Sequence, residues 1–156
     1  MTEAVHYRRP GWITRNVVNP LVAALTSRGA SVWGSRVLEV KGRSTGAPRR
    51  VPVNLLRFEG RDYLVSARGV GDWVRNVRAA GELDLLLGRR REHRRAVELS
   101  DAEKVPVLRA YLKRWKAEVG AFFDGVGPGS TDEQIAAIAG KHPVFVLSDP
   151  HAPPPA

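Results

Sequence analysis

The tightest constraint in this sequence is a pair of short runs, Val37-Leu38-Glu39-Val40 and Val51-Pro52-Val53-Asn54-Leu55-Leu56, separated by a connector dense in turn residues. Runs of that length, rich in β-branched residues and bounded by glycine and proline, read as strands. The connector holds Gly42, Gly46 and Pro48, which suit the reversal of a hairpin. It also carries Arg43, Arg49 and Arg50 with the hydroxyls of Ser44 and Thr45. Backbone N–H groups, hydroxyls and guanidinium forks on one loop can converge on a single anion. Composition alone favours a hairpin tip that its arginines keep soluble.

Taken in order, the rest of the chain alternates strands and helices. Ile13, Val17, Leu21 and Leu25 recur every fourth residue, which predicts a helix over residues 12–28, kinked or broken at Asn19-Pro20. Such a stripe docks on its own domain, or lies against a membrane surface or a substrate with Arg15 and Arg28 near phosphates. Residues 36–41 and 49–58 are the first two strands. Phe58-Glu59-Gly60-Arg61 turns into a third strand over 62–67, where Tyr63, Val65 and Ala67 share a face. Gly69-Val70-Gly71 breaks the sheet, Asp72 suits an N-cap, and Gly81 stops a short helix over 73–80.

Leu83, Leu85 and Leu87 give a fourth strand one apolar face, and Gly88 opens a turn. The run from Arg89 to Arg95 carries five arginines against Glu92. It reads as a solvated hairpin, or as an extension of the groove beside Arg49, and its arginines disfavour a protonated His93. Ser100 and Glu103 have the form of a capping box, but Pro106 moves the expected helix start toward Val105. Leu108, Tyr111, Leu112, Trp115 and Val119 mark the buried face of that helix, which runs out at Phe122-Phe123. Ser130 and Glu133 predict the cap of another short helix ended by Gly140, and His142-Pro143-Val144-Phe145-Val146-Leu147 a last strand. The class is α+β: about six mostly antiparallel strands close a small barrel with flanking helices. One domain is expected over residues 1–149, followed by a disordered proline-rich tail over 150–156.

Several chemistries drop out. The 156-residue chain has no cysteine, which excludes thiol nucleophiles, disulfides and zinc–thiolate sites. Its four histidines, His6, His93, His142 and His151, lack the spacing of a metal-binding helix, so no metal is expected. There is no Gly-x-Ser-x-Gly elbow, no paired carboxylates, and no P-loop ending after the glycines of residues 124–129. No run approaches the ~20 apolar residues that span a bilayer. The N-terminus lacks a secretory pattern, so a cytoplasmic protein is expected, with peripheral membrane contact left to the first helix. A net charge of +9 favours anionic partners. Nucleic acid is not expected, because the arginine-rich run has no interleaved aromatics to stack bases.

The order apolar strand, Gly-Arg-x-Thr-Gly-x-Pro-Arg, second apolar strand resembles the deazaflavin-dependent nitroreductase family of split β-barrel proteins. The likeness continues through Ser66-Ala67-Arg68-Gly69 and Asp72-Trp73-Val74-Arg75-Asn76-Val77. What this implies is an oxidoreductase that uses the reduced deazaflavin coenzyme F-420. Hydride would pass to an electron-poor organic acceptor such as a quinone, a nitroaromatic or an activated double bond. By the same resemblance, Arg43, Thr45, Gly46 and Arg49 hold the phosphate and acidic tail of the cofactor. Ser44 stands where the family usually carries Lys, and Arg50 would compensate for that charge. Pro52 and Val53 lie along the ring; Ser66, Ala67, Arg68 and Gly69 form a second phosphate or ring loop; Trp73 and Asn76 close the site. No catalytic acid or base is implied. The alternatives are the same barrel binding flavin mononucleotide (FMN) or haem, or a non-catalytic protein that binds F-420 or another anion. A homodimer stays open.

Overall fold

A computed structural model describes residues 35–151, apart from the side chains of Ala117 and Glu118. The helix expected over 12–28 and the last five residues of the tail lie outside the described residues.

Six strands form the frame: β1 (Ser35–Lys41), β2 (Pro48–Phe58), β3 (Arg61–Val65), β4 (Glu82–Leu87), β5 (Arg90–Glu98) and β6 (Val144–Ser148). They close into a barrel in the order β1-β2-β3-β6-β5-β4, antiparallel at every seam. Three hairpins supply most of the closure. The eleven-residue β2 joins the two halves of the barrel, pairing its first part with β1 (Val37 opposite Pro52) and its last part with β3 (Leu55 opposite Leu64). Each tight reversal has its turn chemistry. Glu59 and Gly60 both take positive φ between β2 and β3, and Gly88 does so between β4 and β5.

The period of two along each strand sorts side chains between two cores. Leu38, Val40, Leu64, Leu83, Leu85, Phe145 and Leu147 fill the barrel, joined by Val74 and Val77 of helix α1 (Asp72–Ala80). The opposite faces of β3 and β6, through Tyr63, Val65, Val144 and Val146, pack on a second layer. That layer is α2 (Asp101–Val119) and α3 (Asp132–Ala139), with Leu108, Tyr111, Leu112, Trp115 and Ile135 buried against the sheet. Buried Lys104 ties the two helices together, donating to Asp101 and to the carbonyl of Ala139 at 2.8 and 3.0 Å.

Three helix starts differ from expectation. Asp72 is the first residue of α1 rather than its cap; Gly71 occupies the cap position, and the Asp72 carboxylate turns to Arg43. Helix α2 begins at Asp101 and runs through Pro106. Its reciprocal capping box fixes the start, with Ser100 Oγ accepting from Glu103 N–H and Glu103 accepting from Ser100 N–H, and the buried face that follows outweighs the proline's missing donor. The cap of α3 is Thr131 with Gln134, one residue after the expected pair. The hydroxyl of Ser130 is already engaged by the N–H of Gly127 at 2.9 Å.

Candidate functional site

The 42–47 loop closes on itself. Gly42 N–H donates to the Ala47 carbonyl and Gly46 N–H to the Gly42 carbonyl, both at 2.8 Å, while Thr45 Oγ1 accepts from Ala47 N–H. Glycine is required twice. Gly46 sits at φ +77°, and a Cβ on Gly42 would lie 3.0 Å from the Ala47 oxygen. The loop is then clamped from the side by α1. Buried Asn76 presents Oδ1 to both the backbone N–H of Arg43 (3.1 Å) and its Nη1 (2.8 Å), and Asp72 takes Nη2 at 3.4 Å. Arg43 is therefore a strut between loop and helix.

Between the clamped loop, the first residues of β2 and α1 runs a groove of about 520 Å³. Val40, Val51 and Trp73 supply its apolar wall, and Trp73 packs at a tilt against Phe145 with ring centroids 6.0 Å apart. Ser44, Thr45 and Arg49 line the polar side. Among the described residues Arg49 has no ion-pair or hydrogen-bond partner, so its guanidinium is available to a ligand. Among the described residues Asp72 is the one carboxylate on this groove, and Arg43 already faces it. A free guanidinium, two hydroxyls and a rigid loop backbone beside an indole are a donor set for an anion carried on a flat ring, such as a phosphorylated deazaflavin.

Arg50 is placed differently. It lies on the outer face of the sheet, opposite Glu39, and heads a cross-strand ionic chain. Arg50 Nε donates to Glu39 at 2.7 Å, Arg91 donates to Glu39 at 2.8 Å and to Asp84 at 2.5 Å, and His93 meets Asp84 at 2.6 Å and Glu82 at 3.4 Å. The hydrogen bonds from Arg91, then from Arg50, hold the Glu39 carboxyl below its ordinary range. Burial pushes Asp84 upward, but the bonds from His93 and Arg91 outweigh it and leave that carboxyl lowered as well. For His93 the outcome corrects the expectation. Its pKa is raised, chiefly by the hydrogen bond with Asp84, because strand pairing sets it opposite a carboxylate, which it shares with Arg91, while Arg94 turns to Asp62. The arginine run is likewise no merely solvated hairpin: Arg91 joins this chain, and Arg94 reaches buried Asp62.

The loop, Trp73 and Asn76 thus come together at one groove. Pro52 lines an adjoining hollow, and Val53 is half-buried against the barrel core. Ser66, Ala67, Arg68 and Gly69 are not at the groove. Ser66 Oγ donates to the Gly69 carbonyl, Arg68 lies over the Phe122 ring at 5.1 Å, and the Ser66 carbonyl is 3.3 Å from Nδ1 of fully buried His142. His142 itself stacks on Phe123 at 4.0 Å, so those aromatics are structural. The Asp72–Arg43–Asn76 clamp was not legible in the sequence, where its members lie about thirty residues apart.

A closed six-strand antiparallel barrel, interrupted between β3 and β4 by a helix that borders the groove, defines the class of split-barrel proteins. The sequence matches the family model described as F420H(2)-dependent quinone reductase over residues 8–122. The chain belongs to that family, and it is an oxidoreductase that uses coenzyme F-420. No curated protein matches it. Among solved structures, an F420-H2-dependent reductase (FDR-A) is 19% identical, with 74% of this chain and 94% of that one covered at a TM-score of 0.51. A domain-swapped dimer is 18% identical, covering 88% and 97% at 0.54. A conserved hypothetical protein from Mycobacterium tuberculosis is 12% identical, covering 97% and 87% at 0.51. At these identities the likeness concerns the fold.

Proposed function

We propose that the groove between the 42–47 loop and α1 holds the phosphate-bearing part of F-420, with Arg49, Ser44 and Thr45 as its principal contacts. Gly46 keeps the loop backbone within reach, and Trp73 with Val51 walls the ring. Pro52 and Val53 face opposite sides of β2, one toward the adjoining hollow and one toward the barrel core, and stand outside the contact set. Arg43 and Asn76 act in this reading by shaping the loop, and Arg50 by setting charge at the edge of the groove. Ser66, Ala67, Arg68 and Gly69 stand outside the contact set, since they turn onto Phe122 and His142.

When bound, the reduced cofactor supplies a hydride from its C5 carbon, which with a proton from water converts a quinone to its hydroquinone. The chain's own residues then have three tasks: to bind the anionic part, to orient the ring, and to keep water from its reactive face. None of these needs an acid or base of shifted pKa. The proposed acceptor is a quinone.

The observation that carries the reading is Arg49, without a partner among the described residues, beside a loop held by its own backbone bonds and by Asn76. A fluorescence titration of the protein with F-420, run beside FMN, tests it. Saturable binding of F-420 is expected, and Arg49→Ala should weaken it by about tenfold or more, the loss of one charge-assisted bond to phosphate. Undiminished affinity in Arg49→Ala would overturn the assignment of the site. Pairing of two copies belongs to the same reading, on the precedent of the domain-swapped dimer. Light scattering that gives the mass of one 17.1 kDa chain would remove it.

A further inference from the structure

A second hollow, of about 320 Å³, adjoins the cofactor groove and shares Arg50 and Val51 with it. Its floor comes from outward-facing residues that strand pairing sets side by side: Val37 lies opposite both Pro52 on β2 and Leu86 on β4. Val37 is buried while Pro52 and Leu86 are partly exposed, so the floor is an apolar strip partly open to solvent. Its rim is the β4–β5 reversal, where Gly88 at positive φ places Arg89 at the tip and Arg90 at the start of β5.

The charges round this hollow are lopsided. Among the described residues, Arg50, Arg89, Arg90 and Arg91 line it, and no carboxylate does. Arg50 and Arg91 are neutralised by Glu39 and Asp84 at its edge. Arg89 and Arg90 are exposed and, among the described residues, have no ion-pair or hydrogen-bond partner. An open apolar strip beside two unspent guanidinium groups complements a flat aromatic molecule with an anionic substituent. The volume suits two or three fused rings rather than a long chain-bearing one.

We propose that this hollow receives the electron acceptor, and that Arg89 and Arg90 select quinones bearing a sulfonate, carboxylate or phosphate over neutral quinones of the same ring. The position of the acceptor rests on the cofactor groove assigned above. The selectivity for charge rests on the hollow alone. Both arginines act on the substituent and take no part in moving electrons.

The test compares anthraquinone-2-sulfonate with neutral 2-(hydroxymethyl)anthraquinone. Each is titrated first into cofactor-free protein by calorimetry, then assayed as acceptor with reduced F-420. At low salt the sulfonate should bind about fivefold to tenfold more tightly than the neutral compound, since exposed charge contacts are individually weak. The preference should shrink toward unity at high salt, where the Debye length is short. The double variant Arg89→Ser/Arg90→Ser should abolish the preference. A charge-matched control at exposed positions elsewhere, Arg61→Ser/Lys113→Ser, should keep it. Equal binding of the two quinones by the wild type would overturn the proposal, as would an undiminished preference in Arg89→Ser/Arg90→Ser. Failure of F-420 to bind would count against the cofactor groove, while the titration of cofactor-free protein still decides the selectivity. A sulfonate preference in binding that is absent from kcat/KM would overturn the assignment of the hollow to the acceptor.

Discussion

Asn76 concentrates more consequence than any other single side chain near the groove. Its Oδ1 accepts two hydrogen bonds from Arg43 in a buried position, so it sets both the loop and the strut. Asn76→Ala should lower stability by about 1–2 kcal/mol in urea unfolding and weaken F-420 binding at least fivefold. Asn76→Asp retains the acceptor for Arg43 but adds a negative charge beside the groove. It should hold its Tm near that of the wild type and still lose affinity for the cofactor. Equal behaviour of the two variants would show that Asn76 acts by charge or by packing alone. At His93 the sign is set by the raised pKa. Its ion pairing with Asp84 contributes stability in full below the unfolded-state value of about 6.5, and that contribution fades as pH rises through the folded-state value. Thermal unfolding of His93→Gln should therefore fall less between pH 6 and pH 9 than that of the wild type. These two residues also show where sequence reading stops. Asn76 could be named from its place in a family pattern and His93 judged by its neighbours in the chain, but the partners of both come from other elements. For His93 the strand opposite reversed the expectation.

The reversals and caps are the elements whose chemistry is local, and they are where the sequence was most legible. Gly81 ends α1 at φ +72°, and Gly88 starts a tight turn, both as their positions suggested. Glu59 is the exception within a correctly anticipated turn, because a glutamate holds φ +50° where glycine or asparagine is the usual choice. Glu59→Asn should raise stability by about 0.5 kcal/mol, read as an increase in the denaturation midpoint with the slope unchanged. Ser100→Ala removes one half of a reciprocal box and should cost about 1 kcal/mol. The helix starts that were misjudged were not failures of propensity. For α1 and α3 the expected cap was already engaged, Asp72 by Arg43 and Ser130 by Gly127, and for α2 the capping box and buried face outweighed Pro106.

At the scale of the whole molecule, the barrel contains an ion pair as well as an apolar core. Asp62 is 6% exposed and accepts from Arg57 at 3.2 Å and from Arg94 at 2.7 Å, linking β2, β3 and β5. Arg94→Met leaves that carboxylate with Arg57 as its remaining partner among the described residues and should destabilise by roughly 2 kcal/mol, whereas Arg94→Met with Asp62→Asn should recover part of the loss. Denaturant titration of the two variants decides it, and additive losses would mean that the pair is uncoupled.

The sequence by itself determined the strands, their turns, the α+β class and the basic loop, because period-two burial, glycine at positive φ and local caps act over a few residues. It also carried the family pattern of Arg43 to Arg49, Trp73 and Asn76. Tertiary structure alone decided which arginine is free. Arg43, Arg49 and Arg50 lie within one short loop, yet one is tied to a helix, one to a carboxylate across the strands, and Arg49 to nothing among the described residues. It likewise decided that the arginine-rich hairpin lies beside the groove, with Arg89 and Arg90 unpaired among the described residues at its edge. The reason is physical. Whether a charge is spent depends on the carboxylates within a few ångströms, and barrel closure gathers those from strands far apart in the chain.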